Sequence, residues 1–153
     1  MKVQKHIVTT EEHDVDITDI TLLSIEEYEE CKEYIPHVSH WWWLRSPGYD
    51  SRRAACVYAD GGVHGSGYIV DYDRIAVHPA LRISNLESFN LGDKFSLAEL
   101  EWTVISKDLA LCDSMVGATA FREDRQAADA NDYDKSDVKK WLEEWAREKG
   151  LKR

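Results

Sequence analysis

The sequence predicts an α+β protein in which antiparallel strands and two main amphipathic helices form a single domain over residues 1–153. Three observations predict it. Short runs with apolar residues at near-alternate positions, bounded by Gly, Pro, Asp or Ser, recur along the chain and read as strands. Two other segments carry apolar residues at helical spacing, the first of them behind a serine. Finally, 43% hydrophobic and 31% charged residues over 153 positions describe an ordinary globular chain. A chain of this size buries about 68–70% of its unfolded surface and needs no staples.

Taken in order, Val15, Ile17 and the run Ile20-Thr21-Leu22-Leu23 suggest strands. Ser24, followed three residues later by Glu27, is a capping box that starts a helix with Ile25, Tyr28, Cys31 and Ile35 as its apolar stripe. Pro36 ends it, because proline offers no N–H and clashes with the preceding turn. Residues 53–58 and 63–70 flank Asp60-Gly61-Gly62, where glycine permits positive φ, and they form a hairpin. Two further strands are expected, one over residues 96–106 and one over 109–112. Residues 124–133 have loop composition. Val138, Trp141, Leu142 and Trp145 recur at i, i+3, i+4 and i+7, a helix that Gly150 terminates.

Three of the six tryptophans stand in a row at Trp41-Trp42-Trp43, ahead of Leu44-Arg45-Ser46-Pro47-Gly48. A strand alternates its side chains, so Trp41 and Trp43 share one face, Trp42 takes the other, and both faces must be covered. The run reads first as the centre of a core and only second as a ligand platform. Arg45 follows the apolar run, where an unpaired guanidinium is costly, so it is expected to be largely buried and paired. Trp102 and Trp141 complete the expected structural set.

At these residues the chain resembles an uncharacterised bacterial and phage domain family. The likeness rests on Leu22-Leu23-Ser24-Ile25-Glu26-Glu27, on Trp42-Trp43-Leu44-Arg45-Ser46-Pro47-Gly48 and on Val77-His78-Pro79-Ala80-Leu81. His78 stands where the family usually carries arginine. The resemblance implies a C-type lectin-like architecture, shared with formylglycine-generating-enzyme-like and phage receptor-binding proteins. Gly92-Asp93-Lys94-Phe95, Glu101-Trp102-Thr103-Val104-Ile105 and Ser136-Asp137-Val138-Lys139-Lys140-Trp141-Leu142 resemble the segment that normally precedes the serine-capped helix. Residues 22–81 and 92–150 are therefore expected to be two family-like blocks in swapped order, joined within residues 82–91 and sharing one core. About the first twenty residues are expected to lack a counterpart.

Net charge is −10, from 19 basic and 29 acidic residues, which argues against a general electrostatic grip on nucleic acid or an anionic membrane. The acids cluster in residues 11–19, 26–33 and 123–137. Such clusters read as a solvated surface, or more sharply as a surface that imitates nucleic acid. With no apolar stretch near ~20 residues and no signal-peptide core in Met1-Lys2-Val3-Gln4-Lys5-His6, the expected location is the cytoplasm, with virion association as an extension. Cys31, Cys56 and Cys112 are odd in number and widely spaced, so they read as small buried side chains rather than a disulfide framework.

Catalytic chemistry leaves few marks. His37-x-x-His40, His64 and His78 do not impose zinc-ligand geometry, and the stretch from Asp129 to Asp134 lacks the glycine and glutamate of a calcium loop. Ser46, Ser51 and Ser66 lie near His40 and His64 without a nucleophile elbow. The glycines of the hairpin do not open a helix as a phosphate loop does. No cofactor and no metal are expected. The segment up to Pro79 instead displays Tyr49, Arg52, Arg53, Tyr58, His64, Tyr68 and Tyr72, with Ser and Gly between them. Tyr and Arg provide rigid contact area with hydrogen-bonding tips, a mixture closer to a paratope than to a catalytic cleft. The expected function is a non-enzymatic module that binds a protein or other macromolecule. The alternative is an acidic phage-type inhibitor that mimics nucleic acid and blocks a host nucleic-acid-binding protein.

Overall fold

Two sheets, each drawing strands from well-separated parts of the chain, organise the computed structural model, which describes residues 7–9 and 15–152. In chain order the strands are β1 (Ile7–Thr9), β2 (Ile17–Thr21), β3 (Trp42–Pro47), β4 (Arg53–Val57), β5 (Val63–Ile69), β6 (Ala76–Val77), β7 (Ala80–Ile83), β8 (Lys94–Leu97), β9 (Leu100–Val104), β10 (Leu109–Cys112) and β11 (Gly117–Ala118). The six-stranded sheet runs β1-β8-β9-β10-β7-β2 and the five-stranded sheet β11-β6-β3-β4-β5. Two helices, α1 (Ile25–Cys31) and α2 (Asp137–Glu148), flank them.

The first helix begins as its sequence predicts. Ser24 Oγ accepts the Glu27 N–H at 3.1 Å while Glu27 Oε1 accepts the Ser24 N–H at 3.0 Å, closing the capping box. Ser136 caps α2 through the Lys139 N–H, and Gly150 closes it at φ 76°, with Leu151 N–H bonded to the Ala146 carbonyl. The first helix is shorter than expected: it gives way at Cys31 to a 3₁₀ turn over Lys32–Tyr34, before Pro36 is reached.

Alternation in β3 divides the interior. Trp43 packs with Trp102, Phe95, Phe121 and Leu142 in one buried cluster, whereas Trp42 packs with Leu44, Leu23, Tyr28 and Leu111 in another. Burying side chains of this size contributes roughly 1.5–3 kcal/mol each. Residues from both halves of the chain share each cluster, and β7 pairs with β10 through Leu81 opposite Ala110. Trp102 is fully buried and Trp141 half-buried against the first cluster, its ring lying where a Cβ on Gly117 would come within 2.7 Å.

Three expectations change. Residues 96–106 do not form one strand: β8 and β9 are a hairpin that turns at Ala98 and Glu99, both at positive φ (56° and 63°). The strands are not all antiparallel, since β1 pairs parallel with β8 and β3 parallel with β6. The strand expected to run through Leu23 stops at Thr21. Part of the 11–19 acidic cluster lies outside the described residues.

Candidate functional site

The hairpin of β4 and β5 forms because Gly61 adopts φ 92° and lets the Tyr58 N–H reach the Gly62 carbonyl at 2.7 Å. Its register places Cys56 opposite His64 and Ala54 opposite Tyr68. Two small side chains thus sit between larger ones, and the indole of Trp41 occupies the space. Trp41 meets Tyr58 at 4.7 Å, Tyr68 at 5.6 Å and His64 at 6.2 Å between ring centroids, all edge-to-face. Tyr58 stacks on His64 at 4.9 Å, and Tyr68 adjoins Tyr72 at 5.0 Å. Each such pair contributes about 0.5–1.5 kcal/mol beyond its area, so the cluster holds itself rigid.

Beside this cluster lies a cleft of about 340 Å³ lined by His40, Trp41, Tyr68, Tyr72, Arg74 and Ile75. Four of the expected binding residues, Tyr58, His64, Tyr68 and Tyr72, therefore converge around Trp41. Trp41 itself, expected to be structural, is half-buried at their centre, unlike the buried Trp42 and Trp43. Arg74, which belongs to the same Tyr- and Arg-rich stretch of sequence, joins the site, as does His40, which was not expected there. The signal was the turn after β5, which folds Arg74 back beside the aromatic rows.

The remaining expected contacts lie elsewhere. Tyr49 is 82% exposed, and its N–H donates to the Ser66 carbonyl at 2.6 Å, but no ring contact joins it to the cluster among the described residues. Arg53 is tied to Asp50 at 2.6 Å, and Asn131 donates to the carbonyls of both residues. Arg52 is exposed.

A second polar assembly is built for positioning. Arg45 Nη1 donates to Glu27 Oε1 at 2.6 Å and to the Leu22 carbonyl at 2.7 Å, while Arg82 donates to Glu27 Oε2 at 2.9 Å and to Asp108. Burial raises the Glu27 carboxyl, but the hydrogen bonds from Arg45, the Ser24 N–H and Arg82 outweigh it and hold the pKa at about 2, below the usual 4.5. Arg45 is paired as expected but not largely buried: its side chain is 29% exposed, because the pocket around Ser24, Pro47 and Tyr133 stays open to solvent on one side.

Potential catalytic groups are dispersed. The Ser39–His37 and Ser66–His64 contacts, at 3.3 and 3.4 Å, join residues two apart on the surface. Among the described residues, no three His, Cys, Asp or Glu side chains are grouped to hold a metal ion. Cys31, Cys56 and Cys112 are buried free thiols, and burial pushes Cys56 up to about 12 and Cys112 to about 11. His78 is fully buried against the Trp42 ring, its Nε2–H donating to the Cys112 carbonyl at 2.6 Å. Its Nδ1 has no hydrogen-bond partner among the described residues, and burial lowers the imidazole to about 4.

Residues 4–85 match the model of DUF6273, a domain of unknown function, and the chain belongs to that family. The match takes in α1, the tryptophan strand, the β4–β5 hairpin and the whole aromatic cluster. It also begins at residue 4, so the first twenty residues are not without a counterpart. No curated protein and no solved structure matches the chain. Among the described residues, no helix is long and apolar enough to cross a membrane.

Proposed function

We propose that the protein is a non-enzymatic binding module whose working surface is the Trp41-centred aromatic cluster and the cleft beside it. One observation carries the reading. Two of the core indoles are tied internally, Trp43 to the Thr119 carbonyl at 2.9 Å and Trp102 to the Leu97 carbonyl at 3.0 Å. Trp41 Nε1–H, like the hydroxyls of Tyr58, Tyr68 and Tyr72, has no such partner among the described residues. Rigid aromatic bodies with free polar tips, fixed on a sheet, are the anchors that recognition surfaces use.

Two finer readings belong to the same proposal. A C-type lectin-like layout is supported by two sheets and two flanking helices around tryptophan clusters. The swapped order of the two blocks is supported by a family match that ends at residue 85, inside the expected join.

The acidic-inhibitor reading draws on Glu26, Glu29, Glu30 and Glu33, all exposed around α1. It ranks second because Glu27, Asp50, Asp71, Asp108, Asp113 and Asp129 are engaged in internal ion pairs rather than presented to a partner.

Probing immobilised peptide and glycan arrays with wild type and Tyr72→Ala tests the choice. A ligand retained by wild type at high salt and lost by Tyr72→Ala supports the aromatic surface. Retention that ignores Tyr72 and collapses with salt would transfer the function to the acidic face, since screening weakens exposed charge attraction.

A further inference from the structure

The chemistry of the cleft narrows the ligand class, an inference that rests on the aromatic surface being the binding site. Among the polar groups lining the cleft, the Arg74 guanidinium and the Trp41 indole N–H only donate, while the tyrosine hydroxyls and the His40 ring can donate or accept. No carboxylate or carboxamide lines it. A neutral sugar presents hydroxyls that need strong acceptors as well as donors, and this lining supplies no charged or amide acceptor. A complementary ligand brings acceptors and apolar ring bodies.

Charge points the same way. Arg45, Arg53, Arg82, Arg122 and Arg125 all pair with carboxylates. Arg74, like Arg52 and Arg147, has no ion pair among the described residues, and of these three it alone lines the cleft, although the chain carries a net charge of −10. An unpaired guanidinium beside aromatic rings is a site for a carboxylate.

Backbone pairing is not how such a ligand docks. β5 is the edge of its sheet, but its ladder with β4 is interrupted between His64 and Tyr68, and the Ser66 carbonyl is already taken by the Tyr49 N–H. An interrupted edge strand resists addition of another strand. The ligand is read by side chains.

We propose that the cleft takes a proline-rich, acidic segment of a partner protein in the polyproline II conformation. Its prolines lie on the cleft-facing surfaces of the Trp41, Tyr68 and Tyr72 rings, which already touch one another at 5.0–5.6 Å between centroids, and an adjacent Glu or Asp meets Arg74. Polyproline II has no internal hydrogen bonds, so its carbonyls face outward to the donors of the cleft, and its stiffness lowers the ordering cost of binding.

Calorimetric titration of the full chain with a synthetic peptide of Pro-Pro-Glu repeats tests this directly. Matched Pro-Pro-Gln, Pro-Pro-Lys and Gly-Ser-Glu peptides and an oligogalacturonate serve as comparisons. The Pro-Pro-Glu peptide is expected to bind most tightly. Arg74→Gln, at an exposed position, should weaken it about tenfold while leaving Pro-Pro-Gln unchanged, as expected for loss of one charge-assisted hydrogen bond. Equal binding by Gly-Ser-Glu, preference for oligogalacturonate, unchanged affinity in Arg74→Gln, or no binding of any proline peptide overturns the assignment. If a ligand from the arrays still requires Tyr72 in those cases, only the ligand class falls. If Tyr72→Ala alters no ligand at all, the aromatic-surface reading falls with it.

Discussion

Arg45 and Glu27 meet at 2.6 Å, joining the tryptophan strand to the first turn of α1. Glu27 simultaneously completes the capping box with Ser24 and receives Arg82 at 2.9 Å, and Ser46 Oγ accepts the Ile25 N–H at 2.9 Å. Three separate sequence motifs therefore converge on one carboxylate. Their shared role is to lock the helix against both sheets.

Replacing Glu27 by Gln should destabilise the fold at neutral pH. A carboxyl lowered from 4.5 to about 2 corresponds to about 3 kcal/mol, which screening at its partly exposed guanidinium partners reduces to about 2. The folded pKa is depressed, so this stability is present above pH 4.5 and lost as pH falls toward about 2. Denaturant unfolding of wild type and Glu27→Gln should show a gap at pH 7 that closes through this window. Arg45→Ala should cost a similar amount, less than the roughly 3–5 kcal/mol of a fully buried broken pair.

His78 makes the protein acid-sensitive in a different range. Its imidazole is lowered from 6.5 to about 4, so the folded state favours the neutral ring. Stability from this group is complete above pH 6.5 and falls as pH drops toward 4, by up to about 3 kcal/mol. The His78 ring resonances should stay those of a neutral imidazole down to about pH 5. An ordinary titration near 6.5 would contradict the buried placement.

Gly67 supports the aromatic cluster from behind. Its φ is 89°, and an added Cβ would lie 2.7 Å from the Ala54 carbonyl oxygen. Gly67→Ala should cost at least about 2 kcal/mol, combining left-handed strain with a backbone clash, and should displace Tyr68. Gly65→Ala, with nothing within 4 Å, is the control and should leave the melting temperature nearly unchanged.

Local rules reached far in this chain where the residues obey them. The Ser24 cap, Gly150 and the Asp60-Gly61-Gly62 turn are visible because each residue type has a steric or hydrogen-bonding reason to be there. The turn at Ala98 and Glu99 is not, because neither residue favours positive φ, and tertiary pairing of β8 with β9 imposes it. The alternation of Trp41, Trp42 and Trp43 was legible, but not that Trp41 lies at the rim. That depends on Ala54 and Cys56 being small and on the register that sets them between His64 and Tyr68. Tyr49, Arg52 and Arg53 share the composition of the site without sharing its place, since adjacency in sequence does not determine which side of a bent hairpin a side chain takes.

The central claim is that the aromatic cleft, not the acidic surface around α1, is where the protein works. NMR mapping of the ligand retained on the arrays decides it through the tryptophan indole N–H signals. The Trp41 indole resonance should shift on binding, with Tyr68, Tyr72 and Arg74 following, while those of Trp43 and Trp102 stay fixed by their internal hydrogen bonds. Shifts confined to Glu26, Glu29, Glu30 and Glu33, with Trp41 unmoved, would contradict it.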